Sequence, residues 1–266
     1  MFKLVERITR RTRRWLRPGA DSARRARFEP YVKHKNVEGV SFDFFIGDAD
    51  GQQWYDLEST DPVWPEMRFL RDHLVSPGDV VFEAGAHHGC TTILLSRWVS
   101  DGGRVFAFEP HPGNGEIIRR NLELNKLSNV ELHRQAVGAG EGSIAMNSKS
   151  NSSVQASSQT DGTTIEMVPL DKFAALHPKL LKIDVEGYEV EVLKGATQIL
   201  ATKPKLAIEV HTDILASYGT SMDELLRFIP TDIYKIWIQW SDEAEPVPYA
   251  RERPITTRVH LFAVPK

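Results

Sequence analysis

The stretch VVFEAGAHHGCTTILLSRWVSDGGRVFAFEP, Val80 to Pro110, decides the fold. It opens on a short β-branched apolar run, suited to a strand buried on both faces. A turn bracketed by Gly85 and Gly89 follows, then the helical pattern TTILLSRWV (Thr91–Val99) and a second apolar run, RVFAFEP (Arg104–Pro110). Two strands joined through a helix run parallel, and helices must then cover the sheet they build.

The alternation continues outward from there. EIIRRNLELNK (Glu116–Lys126) predicts a helix with Ile117 and Leu124 on one face, and NVELHRQAV (Asn129–Val137) a third strand. LLKIDV (Leu180–Val185) and KLAIEVH (Lys205–His211) predict the fourth and fifth strands. A helix between them buries Val192, Leu193, Ala196, Ile199 and Leu200, and MDELLRFI (Met222–Ile229) predicts another. IYKIWIQW (Ile233–Trp240) and RVHLFAVP (Arg258–Pro265) are then joined by Ser241–Thr257, which has no helical repeat. Strands joined without a helix pair antiparallel, so one antiparallel strand is expected near the C-terminal edge.

Upstream, residues 31–79 predict a hairpin and helix extension. VSFDFFIGDADGQQWYDL (Val40–Leu57) reads as two strands around a turn at Asp48–Gly51, and PEMRFLRDHLV (Pro65–Val75) as a helix begun by proline. The serine-rich stretch 147–164 stands where a third helix is expected and reads either as a surface insertion or as a lid over the ligand cleft.

Composition narrows the function. Apolar residues make up 41% of the 266 and charged residues 26%, ordinary values for a globular chain. A single cysteine, Cys90, excludes an internal disulfide and a cysteine-built zinc site, and a cytoplasmic compartment is expected. Residues 1–30 form a basic arm. Up to Arg27 it holds ten Lys/Arg against Glu6 and Asp21, a charge of +8, which leaves −11 on the rest. An acidic body excludes nucleic acid as the main partner. Leu4, Val5, Ile8, Trp15 and Leu16 recur among the arginines, a pattern suited to peripheral contact with the inner membrane surface.

In an open α/β sheet, ligands bind beyond the carboxyl ends of the strands where strand order reverses. The first strand ends in Glu83–Gly89 and the second in Glu109, which can accept hydrogen bonds from both hydroxyls of a ribose. The bulky pair His87 and His88 inside the turn leaves little room for a pyrophosphate, which argues against a dinucleotide and for S-adenosylmethionine (SAM). Cys90 opens the first helix and reads as a packed residue.

Five segments in order carry a resemblance: VVFEAGAHHGCTT, VFAFEPHPGNGEIIRRNLELNKLSNV, AVGAGEGS, LLKIDVEGYEVEVLKGA and LAIEVH. Together they resemble the FkbM family of SAM-dependent methyltransferases from about Val80 to His211. The resemblance implies a Rossmann-like class I methyltransferase fold over residues 80–266. That fold is a mostly parallel seven-stranded sheet with one antiparallel strand near the C-terminal edge and helices on both faces. It implies O-methylation of a hydroxyl on a sugar, glycolipid or natural product. It also implies that Gly85, Ala86 and Gly89 form the SAM-binding turn, that Thr92 matches a usual threonine, and that Glu109 holds the ribose. Gln135, Ala136 and Val137 fall where the family places adenine. Glu83 and His87 complete the expected cofactor set, although the family usually has Asp and Asn at these positions.

Asp184, Glu209 and His211 lie at the ends of the fourth and fifth strands, and Glu209 and His211 share a face. They are the expected catalytic group. An imidazole suits general-base work near neutrality, and a carboxylate can orient it or bind the acceptor. The same trio is compatible with a divalent cation, but no metal site is predicted because the spacing is not decisive. Glu186 and Glu189 read as stabilisers of a helix N-terminus, and Gly187 as a tight turn. Two other functions fit the fold pattern: a nicotinamide-dependent oxidoreductase and a non-catalytic nucleoside-binding module.

Overall fold

The structure, a computed structural model, describes residues 27–56, 64–146 and 163–266. Nearly all of the basic arm and most of the serine-rich loop lie outside the described residues, so both readings remain expectations from sequence.

The apolar runs become the central sheet. β3 (Val80–Ala84), β4 (Arg104–Phe108) and β5 (Val130–His133) are joined by α3 (Cys90–Val99) and α4 (Pro112–Leu124). β9 (Leu180–Ile183) and β10 (Lys205–Val210) extend the sheet on the other side of β3, linked by α5 (Glu189–Lys194) and α6 (Thr197–Ala201). These five strands are parallel. β13 (Val259–Pro265) inserts antiparallel between β10 and β11 (Tyr234–Gln239), so β11 regains the direction of the first five. The two-residue β12 (Val247–Pro248) adds an eighth strand outside β11. The order β12-β11-β13-β10-β9-β3-β4-β5 reverses between β3 and β9, which places the switch point beside Gly85.

Alternation along the strands buries both faces. Leu181, Ile183, Leu206, Ile208 and Phe82 face one core with the helices after β9. Val81, Val105, Leu180, Ala207 and Phe262 face a second core under α3 and the N-terminal extension.

Three expectations are corrected. The hairpin is β1 (Tyr31–Val37) against β2 (Val40–Ile46), not a pair within Val40–Leu57. Asp48 starts a helix instead: its side chain accepts the Gly51 N–H at 2.6 Å and caps α1 (Ala49–Tyr55). The expected third strand breaks after His133, and Ala136–Val137 (β6) joins a separate sheet with β8 (Thr163–Val168) and β7 (Gly142–Met146). Leu124 is 38% exposed rather than buried, because Ile117, Ile118 and Asn121 form the inner face of α4.

The predicted helix from Pro65 is α2 (Pro65–Phe69), continued by one π-helical turn at Leu70–Leu74. Short helices α7 (Thr212–Leu215) and α8 (Met222–Arg227) close the side beside β10. Among the described residues no helix is long and apolar enough to cross a membrane.

Candidate active site

β3 delivers Glu83 and then turns at Gly85, whose φ is +86°. A side chain there would meet the Asp184 carbonyl oxygen at 1.7 Å, so only glycine lets the turn lie against the end of β9. The turn is tied to β4 through Gly85 N–H to Phe108 O at 2.9 Å, and Asp184 N–H reaches back to Ala84 O at 2.9 Å. The segments predicted to bind cofactor and to do chemistry thus touch through backbone.

Glu83 has no exposed surface. Thr92, also buried, donates to its Oε2 at 2.6 Å, so Thr92 acts through Glu83. The other oxygen, Oε1, has no hydrogen-bond partner among the described residues. Burial pushes this carboxyl up to about 7, against the lowering effect of Lys182 and the Thr92 hydrogen bond. A buried carboxylate with a spare oxygen suits a cationic ligand group such as an ammonium.

Glu109 follows β4 and is likewise buried. It accepts from His87 N–H (2.8 Å), His111 N–H (2.9 Å) and Asn114 Nδ2 (3.1 Å). Burial raises it to about 7 despite these donors. The donors fix its carboxylate plane. Asn114 was not legible as a site residue; it lies five positions on, in the first turn of α4.

His87 adopts a left-handed φ of +52°, and its ring stacks on His88 at 4.1 Å. Burial holds its imidazole well below the usual range. Ala86 is buried against Ala107 and Ile118, and Gly89 ends the turn ahead of α3. Cys90 is buried and pushed up to about 12, a packed thiol. Gln135 lies in the link between β5 and β6 (Ala136–Val137). Ala136 and Val137 turn their side chains into core clusters, so only their backbone is left for a ligand.

Beyond β9 the chain takes two left-handed residues in succession, Glu186 (φ +52°) and Gly187 (φ +94°). Gly187 packs against Ile214, which a side chain there would strike at 2.7 Å. The reversal brings Glu186 and Glu189 back toward β10. Glu189 stands in the first turn of α5, as the dipole reading expects, and it has a second partner that the sequence reading did not name. Glu189 has no exposed surface, and its Oε1 accepts from Gly187 N–H (2.9 Å) and His211 Nδ1 (2.8 Å). The signal was present: Glu189 shares the i, i+3, i+4, i+7 stripe with the buried Val192, Leu193 and Ala196.

His211 Nε2 faces Glu186 Oε2 at 3.4 Å and Glu209 Oε1 at 3.6 Å. Burial would lower this imidazole, but the Glu189 hydrogen bond and the charges of Glu186, Asp184 and Glu209 push it up to about 9. Asp184 is itself raised by burial and by Glu209, with Lys182 opposing at 3.7 Å. Lys182 is buried, and the carboxylates of Asp184, Glu66, Glu83 and Glu209 raise it against its desolvation.

Glu209 is drawn the other way. It pairs with Arg258, and His260, opposite it on β13, lies between Glu66 (3.7 Å) and Asp242 (3.5 Å). The structure therefore brings the three predicted catalytic residues together, and it supplies Glu189, not Glu209, as the hydrogen-bonded partner of His211. One ligand atom each from Asp184, Glu186 and His211 lies within 4.8 Å of the others, close enough to hold a divalent cation.

The chain is 28% identical to the hexuronic acid methyltransferase AglP of Haloferax volcanii over 176 residues, 60% of this chain and 71% of that protein. It is 27% identical to methyltransferase 1 of Beauveria bassiana over 143 residues, 43% of this chain and 57% of that one. A crystal structure of an FkbM methyltransferase from Methylobacillus flagellatus superposes with a TM-score of 0.46 and 20% identity, covering 75% of this chain and 53% of that one. A profile of the methyltransferase FkbM domain matches residues 83–235, more than half of the sequence, and the chain belongs to this family of SAM-dependent methyltransferases.

Proposed function

We propose that this chain is an O-methyltransferase that passes the methyl group of SAM to a hydroxyl of a sugar-containing acceptor, with His211 as general base. The observation that carries this reading is the pairing of His211 with buried Glu189 at the end of β10, with only β9 between that strand and β3, which the glycine turn follows. The sugar class is supported by the relative named a hexuronic acid methyltransferase. The +8 basic arm favours an acceptor presented on an anionic membrane surface, such as a glycolipid.

SAM supplies an electrophilic methyl group on a cationic sulfonium. Glu83 Oε1 is free to take its ammonium, Glu109 to accept its ribose hydroxyls, and the Gly85–Gly89 turn to lie against its methionine end. The Gln135–Val137 backbone borders the adenine side. Glu189 fixes the His211 Nδ1–H, so Nε2 is the atom that accepts the acceptor's proton. Asp184 and Glu186 lie where they can orient the hydroxyl and balance positive charge. Alignment of hydroxyl and methyl contributes about 7–11 kcal/mol to such reactions, and a positioned base a further 10²–10⁴-fold, roughly.

The test is a purified-enzyme assay with methyl-labelled SAM and a panel of sugars, glycolipids and free uronic acids. Label should enter an ether that resists mild base, and S-adenosylhomocysteine, not NAD, should raise the melting temperature. Stabilisation by NAD would favour the oxidoreductase. SAM binding without transfer to any acceptor would favour a binding module.

A further inference from the structure

Tyr55 ends α1, in the N-terminal extension, outside the residues matched by the family profile. Its phenol oxygen lies 2.7 Å from His87 Nδ1. Its ring lies 4.9 Å from that of Phe44 on β2, and 5.5 and 5.6 Å from those of His87 and His88. Lys35 of β1, itself buried, donates to the Tyr55 carbonyl at 2.7 Å.

The other end of α1 is fastened to the same turn. Asp48, the helix cap, lies 3.4 Å from His88 Nε2, and a side chain at Gly51 would strike the His88 ring at 2.4 Å. Asn121 of α4 completes the clamp, accepting Phe45 N–H at 2.6 Å and donating to His88 O at 2.9 Å. Burial raises the Tyr55 phenol, so the hydroxyl stays protonated and able to donate to His87 Nδ1.

A left-handed non-glycine residue such as His87 persists only where its surroundings hold it. The His87 N–H also donates to Glu109, so the backbone that Tyr55 immobilises is the backbone that orients the ribose carboxylate. We propose that Tyr55 is a positioning residue of the methyl-donor site: through its hydrogen bond to His87 and its packing on the His88 ring it preforms the turn that receives the donor. The inference rests on the reading of this turn as a SAM site.

The experiment is calorimetric titration of S-adenosylhomocysteine into the full-length wild-type protein and Tyr55→Phe, His87→Ala, His87→Asn and Tyr55→Phe/His87→Ala variants, with steady-state kinetics for SAM. Tyr55→Phe keeps the ring and removes only the hydroxyl. It should weaken binding about tenfold, raise KM for SAM in step and leave kcat within about twofold. His87→Ala should cost a similar factor, and the double variant little more. His87→Asn should bind nearly as wild type, because the amide oxygen takes the place of Nδ1 and Asn tolerates the left-handed conformation.

Wild-type affinity in Tyr55→Phe, or factors that multiply in the double variant, would overturn the proposal. If Tyr55→Phe does not fold, the contrast between His87→Ala and His87→Asn decides it, and equal affinities there would also overturn it. A wild-type protein that binds no S-adenosylhomocysteine defeats the SAM reading itself, a separate failure.

Discussion

His211 Nδ1 lies 2.8 Å from Oε1 of Glu189, a carboxylate with no exposed surface that heads α5. A buried carboxylate that holds one imidazole nitrogen leaves the other with a fixed direction and a higher basicity. The pair is assembled from two strand ends, because the left-handed reversal at Glu186 and Gly187 turns α5 back over β10.

Replacing the base should stop chemistry and spare binding. His211→Ala is expected to lower kcat by about 10²–10⁴-fold while S-adenosylhomocysteine binds within about twofold of wild type. Glu189→Gln should lower kcat less, since the imidazole remains but loses its anionic partner. Single-turnover methyl transfer with saturating SAM reads both effects, and full turnover in His211→Ala would remove His211 from the mechanism.

The pH profile should carry the mark of the same pair. The His211 imidazole, held at about 9 in the free enzyme, must lose its proton to act as a base. Thus kcat/KM should rise with pH through that value and level off above it. In Glu189→Gln the imidazolium loses an anionic partner, so the inflection should move to lower pH. A profile that is flat from pH 7 to 10 contradicts the assignment.

Binding of the donor should release protons near neutrality. Glu83 and Glu109 are each raised to about 7 by burial, so each is near half-protonated there. A cationic ammonium and a pair of donating hydroxyls both favour the ionised forms, so affinity for SAM should fall as pH drops from 7 to 5. Calorimetry in buffers of different ionisation enthalpy measures the release. Glu83→Gln should reduce it and weaken binding, and heats that do not depend on buffer would refute it.

Stability of the ligand-free protein should decline on the alkaline side. His211 and His260 are each raised to about 9 from an ordinary 6.5 by surrounding carboxylates that outweigh desolvation. Their contribution is complete below 6.5 and is lost as pH rises through 9. Urea unfolding at pH 6 and pH 9.5 should show a lower midpoint at the higher pH, and the difference should shrink in His260→Gln.

Chelation should leave turnover intact. The proposed proton transfer uses His211 and carboxylates without a cation, although Asp184, Glu186 and His211 are close enough to hold one. Activity after EDTA treatment and gel filtration checks this. A loss restored by Mg²⁺ or Mn²⁺ would convert the cluster into a metal centre and His211 into a ligand.

The sequence alone determined most of the central strands, their parallel course and an antiparallel strand near the C-terminal edge. Each follows from local periodicity and from connection length, which neighbouring residues carry by themselves. It also placed Glu83, Glu109, Asp184 and His211 at or just past strand ends, because the alternation fixes where strands stop. Only the tertiary structure decided which groups meet. Glu209 turned to Arg258 and His260, Glu189 turned inward to His211, and Tyr55 arrived at His87 from 32 positions upstream. The small sheet built from β6, β7 and β8 is equally non-local. Partner choice among buried charges depends on distances across strands and on which desolvated group finds a counter-charge, and neither is written in the order of residues along one segment.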